Sequence, residues 1–165
     1  MAEAPKRGLE ELTALFERLG ARDPERWARS QLEEGIPQLE RFLFLKQAWS
    51  QVVPEGDASW IENSISAATR DPSGPFSGIG HALQSLTAKG ATADELTALA
   101  RGMQAALLFG FCHVLEGPDD DEVGGSAGWG LFTTDAQDLP VQRLVGLHES
   151  LLETDPTGRE MRPGA

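Results

Sequence analysis

Apolar residues recur along most of this chain with the period of an α-helix. Leu9, Leu12, Leu15, Phe16 and Leu19 form one stripe, and Gly20 ends it. Asp23 then sits at an N-cap with Pro24 in the first helical position, where a missing N–H costs nothing, and Trp27, Ala28 and Leu32 give a narrow inward face. Pro37 opens a third helix with Leu39, Phe42, Leu43, Leu45, Ala48, Trp49, Val52 and Val53 inward, and Pro54 stops it. Asp57 caps a fourth, striped by Ile61, Ile65 and Ala68 beside Trp60 and ended by Asp71-Pro72. A fifth carries Ile79, Leu83 and Leu86 on one face and stops at Gly90.

The stretch Thr92–Gly117 has both ends marked. Thr92 and Glu95 have the spacing of a capping box, and Gly117-Pro118 is a stop signal. Between them, Ala93 to Glu116 makes about 36 Å of helix. Ala105–Leu115 is apolar almost all round, which predicts a helix running through the middle of a core. Ala98, Gly102, Ala106 and Gly110 recur every four residues and form one small-residue ridge. That ridge suits close internal packing or, alternatively, a homodimer face.

Beyond Gly117 the pattern changes. A loop over 117–130 holds four consecutive acids, Asp119 to Glu122, then Gly124, Gly125, Gly128 and Gly130, with the large apolar Trp129, Leu131 and Phe132 interrupting the polar run. Val141, Leu144, Val145, His148 and Leu151 fit a helical stripe over Leu139–Leu152, but 129–134 and 141–147 could instead pair as a short β-ribbon across Asp135–Pro140; the favoured reading is an extended or weakly paired segment at 129–134 and a helix over at least 147–153. The expected fold is mainly α: six or seven helices around a long buried helix at about 93–116, with a short β-ribbon or extended segment near 129–145. Residues 1–7 read as a flexible N-terminus, 8–153 as one helical domain, and 154–165 as a C-terminal tail of turn residues.

Charge narrows the function classes. The net charge is −12 over 165 residues. Residues 1–50 are nearly neutral, and Gly102 to Gln142 contains no lysine or arginine against seven carboxylates. Such a field repels nucleic acid and anionic membranes and attracts a basic protein. Cys112 is the sole cysteine, so no intrachain disulfide forms, which fits a cytoplasmic setting. No secretory h-region follows Lys6 and Arg7. Arginine outnumbers lysine 11 to 3, a composition associated with GC-rich bacterial genomes.

Three functional readings remain. The first is a non-enzymatic acidic protein that binds a basic protein, in the manner of an immunity protein, antitoxin or inhibitor, through Asp119, Asp120, Asp121, Glu122 and Trp129. The second places a small-ligand or metal site, or a catalytic one, around His113, Glu116, His148 and Glu149, since inward imidazoles with carboxylates in reach can ligate or shuttle protons. The third is self-association through the Ala98, Gly102, Ala106, Gly110 face. Cys112 reads as a small buried hydrophobe and His81 as exposed. The acidic run lacks the final glutamate of an EF-hand, the glycines lack the lysine of a phosphate loop, and no serine sits in a nucleophile elbow. No cofactor is indicated, and the balance leans away from catalysis.

Overall fold

The computed structural model describes residues 7–118 and 128–163, and these are mainly helical. Seven helices are present among the described residues: α1 (Leu9–Leu19), α2 (Pro24–Glu33), α3 (Gln38–Trp49), α4 (Ser59–Arg70), α5 (Ser77–Ala88), α6 (Ala93–Leu115) and α7 (Leu147–Leu151). Strands β1 (Leu131–Thr134) and β2 (Pro140–Leu144) pair antiparallel, Leu131 opposite Leu144, with an irregularity at Thr133/Thr134. The ribbon reading of this region therefore holds, and the helix after it covers Leu147–Leu151, shorter than the expected 147–153. The acids Asp119 to Glu122 lie outside the described residues.

The chain divides into two compact units, Met1–Trp49 with Leu108–Ala165, and Ser50–Leu107. In the first, α1, α2 and α3 enclose a core of Leu12, Phe16, Trp27, Ala28, Leu39 and Phe42. Phe42 meets Phe16 and Trp27 edge-on at centroid distances of 5.7 and 5.2 Å, the arrangement favoured by ring quadrupoles. Leu147 and Leu151 seat α7 in the same unit, and Trp49 Nε1 donates to the Leu151 carbonyl at 2.9 Å. The segment after α7 is more structured than a loose tail. Buried Asp155 accepts from the backbone N–H of Thr157 and Met161, and Arg22 donates to the carbonyls of Glu153 and Gly158. Arg162 pairs with Glu160 at 2.9 Å.

In the second unit, α4 and α5 form a hairpin whose closest approach is at Gly80, where a Cβ would run into the Ser64 carbonyl and the Ala68 methyl. The start of α6 belongs here too. The Thr92–Glu95 capping box is formed: Thr92 N donates to Glu95 Oε2 at 2.8 Å, and Glu95 N to Thr92 Oγ1 at 3.2 Å. Glu95's carboxyl is held below the usual carboxylate range by the hydrogen bonds it accepts from the Thr92 N–H and hydroxyl. Trp60 Nε1 donates to Thr97 Oγ1, Arg101 to the Val53 carbonyl, and Val53 N to Gln104 Oε1, at 3.1, 3.0 and 2.8 Å.

Two expectations are corrected. α6 has the expected bounds to within a residue, but it is not a helix buried on all sides. Leu99, Met103, Leu107, Phe111 and Val114 stay 59, 66, 63, 54 and 52% exposed. The reason is that its inward face is the one bearing Leu96, Ala105 and Cys112 together with Thr97, Arg101 and Gln104; Thr97 accepts from the Trp60 indole, and Arg101 and Gln104 bond the Val53 backbone. Nor does the small-residue ridge pack internally: a Cβ at Gly102 or Gly110 would meet nothing within 4 Å. α6 is also long and apolar enough, by length and composition, to cross a membrane, although only 17% of its most apolar window is buried.

Candidate functional site

Two features near α6 carry chemistry worth weighing. The first is at its C-terminal end, where the chain brings His113 and His148 together. Leu147 and Leu151 are fully buried and fix α7, so the intervening His148 is held at its surface. The rings of His113 and His148 stack with centroids 4.0 Å apart and 24° between planes. Phe109, one turn before His113, meets both edge-on, at 5.0 and 6.2 Å. His148 Nδ1 lies 2.8 Å from Glu116 Oε1, with both side chains about three-quarters buried.

Glu116 is the hub. Burial pushes its carboxyl up, but hydrogen bonding and the charge of His148, together with the backbone N–H groups of His148 and Leu147, bring it below the ordinary range. Its carboxylate thus serves the unsatisfied N–H groups that open α7. On the other side, the last carbonyls of α6 are taken up as well. Trp129 Nε1 donates to the Val114 carbonyl at 2.6 Å, and Arg143 donates to the Glu116 carbonyl. Gly117 permits this closure. Its φ is +114°, and a Cβ there would lie 2.9 Å from the Arg143 guanidinium.

A carboxylate on Nδ1 fixes the imidazole tautomer and leaves Nε2 as the proton acceptor. That is acid–base geometry, but every other contact is a tie between α6, the ribbon and α7. Stacked imidazoles attract when neutral and repel when both are charged. Among the described residues, no group of three or more His, Cys, Asp or Glu side chains is placed to hold a metal ion. Glu149 does not join the histidines; it is 71% exposed and lies 3.8 Å from Arg41. Cys112 is fully buried, and burial first, then the nearby Glu116 charge, pushes its thiol up to about 11, so it is a packing residue. His81 is exposed. Trp129 is half-exposed, but its indole N–H is already committed to α6.

The second feature is the outer face of α6. The ladder Ala98, Gly102, Ala106, Gly110 and the ladder Leu99, Met103, Leu107, Phe111 are neighbouring i+4 ridges, one small and one large. Val114 continues the small ridge. Except for Gly102, which is half-buried, every one of these positions is exposed. The face carries no charge.

Sequence reasoning missed Phe109, Arg143 and the openness of this face. Arg143 had a signal: it is the first cation after the cation-free run from Gly102 to Gln142. No family model matches the chain, and no curated protein or solved structure is significantly similar to it.

Proposed function

We propose that this chain is a non-enzymatic interaction protein whose working form is a homodimer paired through α6. The observation that carries the reading is the exposure, at 52–66%, of five large apolar side chains aligned on one face of one helix. Water-exposed apolar stripes of this length mark contact surfaces. The second copy is favoured as occupant because the face complements itself. The large ridge of one helix fits the groove along the small ridge of the other, which gives an isologous pair with helices crossing at about −50°. Absence of charge on the face keeps like charges out of direct contact when two chains, each of net charge −12, pair there.

A bilayer is a poorer occupant. Thr97, Arg101 and Gln104 on the opposite side of the helix hold polar bonds to Trp60 and Val53, which hydrocarbon would leave exposed to loss. The basic-protein reading joins this one through charge. A dimer doubles the acidic field and speeds encounter with a cationic partner, and that association should slow steeply as salt rises.

Sedimentation equilibrium over a range of concentrations tests the pairing. A monomer–dimer equilibrium abolished by Met103→Glu with Leu107→Glu supports it. A monomer at every concentration, or flotation of the protein with neutral lipid vesicles, overturns it.

A further inference from the structure

A second surface lies away from α6, in a groove of about 730 Å³ between the β-ribbon and the corner that joins α2 to α3. Both walls belong to the same compact unit. Gly35 turns the corner with φ +69°, and the buried Pro37 immediately precedes α3. The walls are braced against one another. Gln142 Nε2 on β2 donates to the Gly35 carbonyl at 2.7 Å, and Gln31 Oε1 on α2 accepts from the Leu39 N–H at 2.9 Å. Leu144, 5% exposed, anchors β2. The groove is therefore built before anything enters it, which spares an occupant the cost of ordering it.

The lining is of two kinds. Ile36, Phe44, Leu131, Phe132 and Val141 supply apolar area, and Phe132 and Val141 stay 45 and 66% exposed. The one ionisable side chain among the lining residues is Glu40, which is exposed. Glu34 precedes Gly35 and Asp135 follows Thr134, so a further carboxylate flanks each wall. The cations of the same elements are engaged elsewhere. Arg26 pairs with Glu153 and Arg29 with Glu25. Arg41 donates to the Gly146 carbonyl, Lys46 to that of Leu19 and Arg143 to that of Glu116. An apolar groove with negative charge and no lining cation complements an occupant that is both cationic and apolar, and it repels an anionic one.

Strand geometry favours an extended peptide as that occupant. Among the described residues the sheet has two strands, so each has one edge without a strand beside it. All four residues of β1, Leu131 to Thr134, line the groove, although successive side chains point to opposite faces. The groove thus reaches the backbone of β1 as well as one of its faces. An extended segment shares the period of two, so its apolar and basic side chains can alternate between the two kinds of lining.

We infer that this groove docks an extended segment of a basic partner, its lysine or arginine side chains beside Glu40 and the intervening apolar ones on Phe44, Phe132 and Val141. The inference rests on the charge reading of a basic partner and is independent of pairing through α6.

The test titrates a capped hexapeptide of alternating lysine and valine into the ¹⁵N-labelled full chain. A glutamate–valine and a lysine–serine hexapeptide serve as controls. The lysine–valine peptide should bind saturably and shift the amide resonances of residues 35–44 and 131–144, and each control should bind about tenfold more weakly or less. Binding should weaken as salt rises. Glu40→Gln should weaken it about two- to fivefold, as for an exposed ion pair, and Val141→Ser, at an exposed position, by a similar factor. The Met103→Glu, Leu107→Glu protein should bind as tightly as the unmodified chain, so a failure of the α6 pairing leaves this result standing. No saturable binding, equal binding of either control peptide, or shifts centred on residues 99–114 would overturn the assignment.

Discussion

The two sides of α6 are both apolar, but only the inner one, where Leu96, Ala105 and Cys112 are buried, also holds polar groups. Its inner side is where Thr97 and Arg101 are buried and where Gln104 meets the backbone at Val53. Its outer side is an unbroken display of alanine, glycine, leucine, methionine, phenylalanine and valine. Polar groups inside do not drive collapse strongly, but they fix orientation, since each must meet its own partner. Apolar groups outside gain nothing until something covers them. The contrast teaches that hydrophobicity around this helix does not report which side is buried. The inner side sets the rotation of the helix, and the outer side is held open as a consequence.

The largest expected effect comes from breaking the outer side. Met103→Glu with Leu107→Glu places charge in an apolar contact. It should weaken dimerisation by about 100-fold or more, as roughly 3 kcal/mol, while leaving the unfolding of the monomer little changed. Sedimentation and denaturant titration of the same sample read both quantities. Next is the inner side. Arg101→Met removes the donor to the Val53 carbonyl and should cost about 1.5–3 kcal/mol of folding stability in urea. The dimer constant, measured under native conditions, should stay put.

A substitution that separates the two sides more finely is Gly102→Leu. A Cβ there meets nothing within 4 Å, and replacing glycine in a helix favours folding by about 1 kcal/mol. If the small ridge admits a second helix, the same change should stabilise the monomer and weaken the dimer, a pair of opposite signs readable by calorimetry and sedimentation. Two smaller effects belong to the end of the helix. Glu116's carboxyl sits below its ordinary value of 4.5, so its contribution to stability is fully present above that pH and is lost as pH falls through the lowered value. Glu116→Gln should therefore lower stability at neutral pH and flatten the acid limb of the stability–pH curve, so that the two proteins converge at low pH. Finally, Cys112 on the inner side should resist a maleimide at pH 8 until the chain unfolds, whereas Met103→Cys on the outer side should react at once.

Much of this architecture was legible because the signals were local. Gly20, Gly90 and Gly117 all adopt the left-handed conformations expected of helix stops, and Asp23 and Thr92 cap as their spacing indicates. The ribbon and the start of α7 also lay within the predicted ranges. What could not be read was which of two apolar sides of α6 faces inward. Arg101, Thr97 and Gln104 decide that through bonds to Val53 and Trp60, more than thirty residues away in sequence. The meeting of His113 and His148 was likewise invisible, because it depends on where the β-ribbon returns the chain. Glu149 misled for a simpler reason. It neighbours His148 in sequence but points to Arg41, as adjacent positions on a helix do not share a face. The burial of Arg41 gave no signal at all, since an arginine on a helix that also carries Glu40 and Lys46 looks like a solvated one until its surroundings are known.

The central claim is that the outer face of α6 pairs with its own copy. The most direct measurement is the solution mass of the unmodified chain by sedimentation equilibrium, from about 1 to 100 μM, the range over which pairing of this strength is resolved. The account predicts a mass that rises toward twice 17.8 kDa and returns to 17.8 kDa in the Met103→Glu, Leu107→Glu protein at the same concentrations. A mass of 17.8 kDa throughout, or a dimer that those two substitutions leave intact, would contradict it.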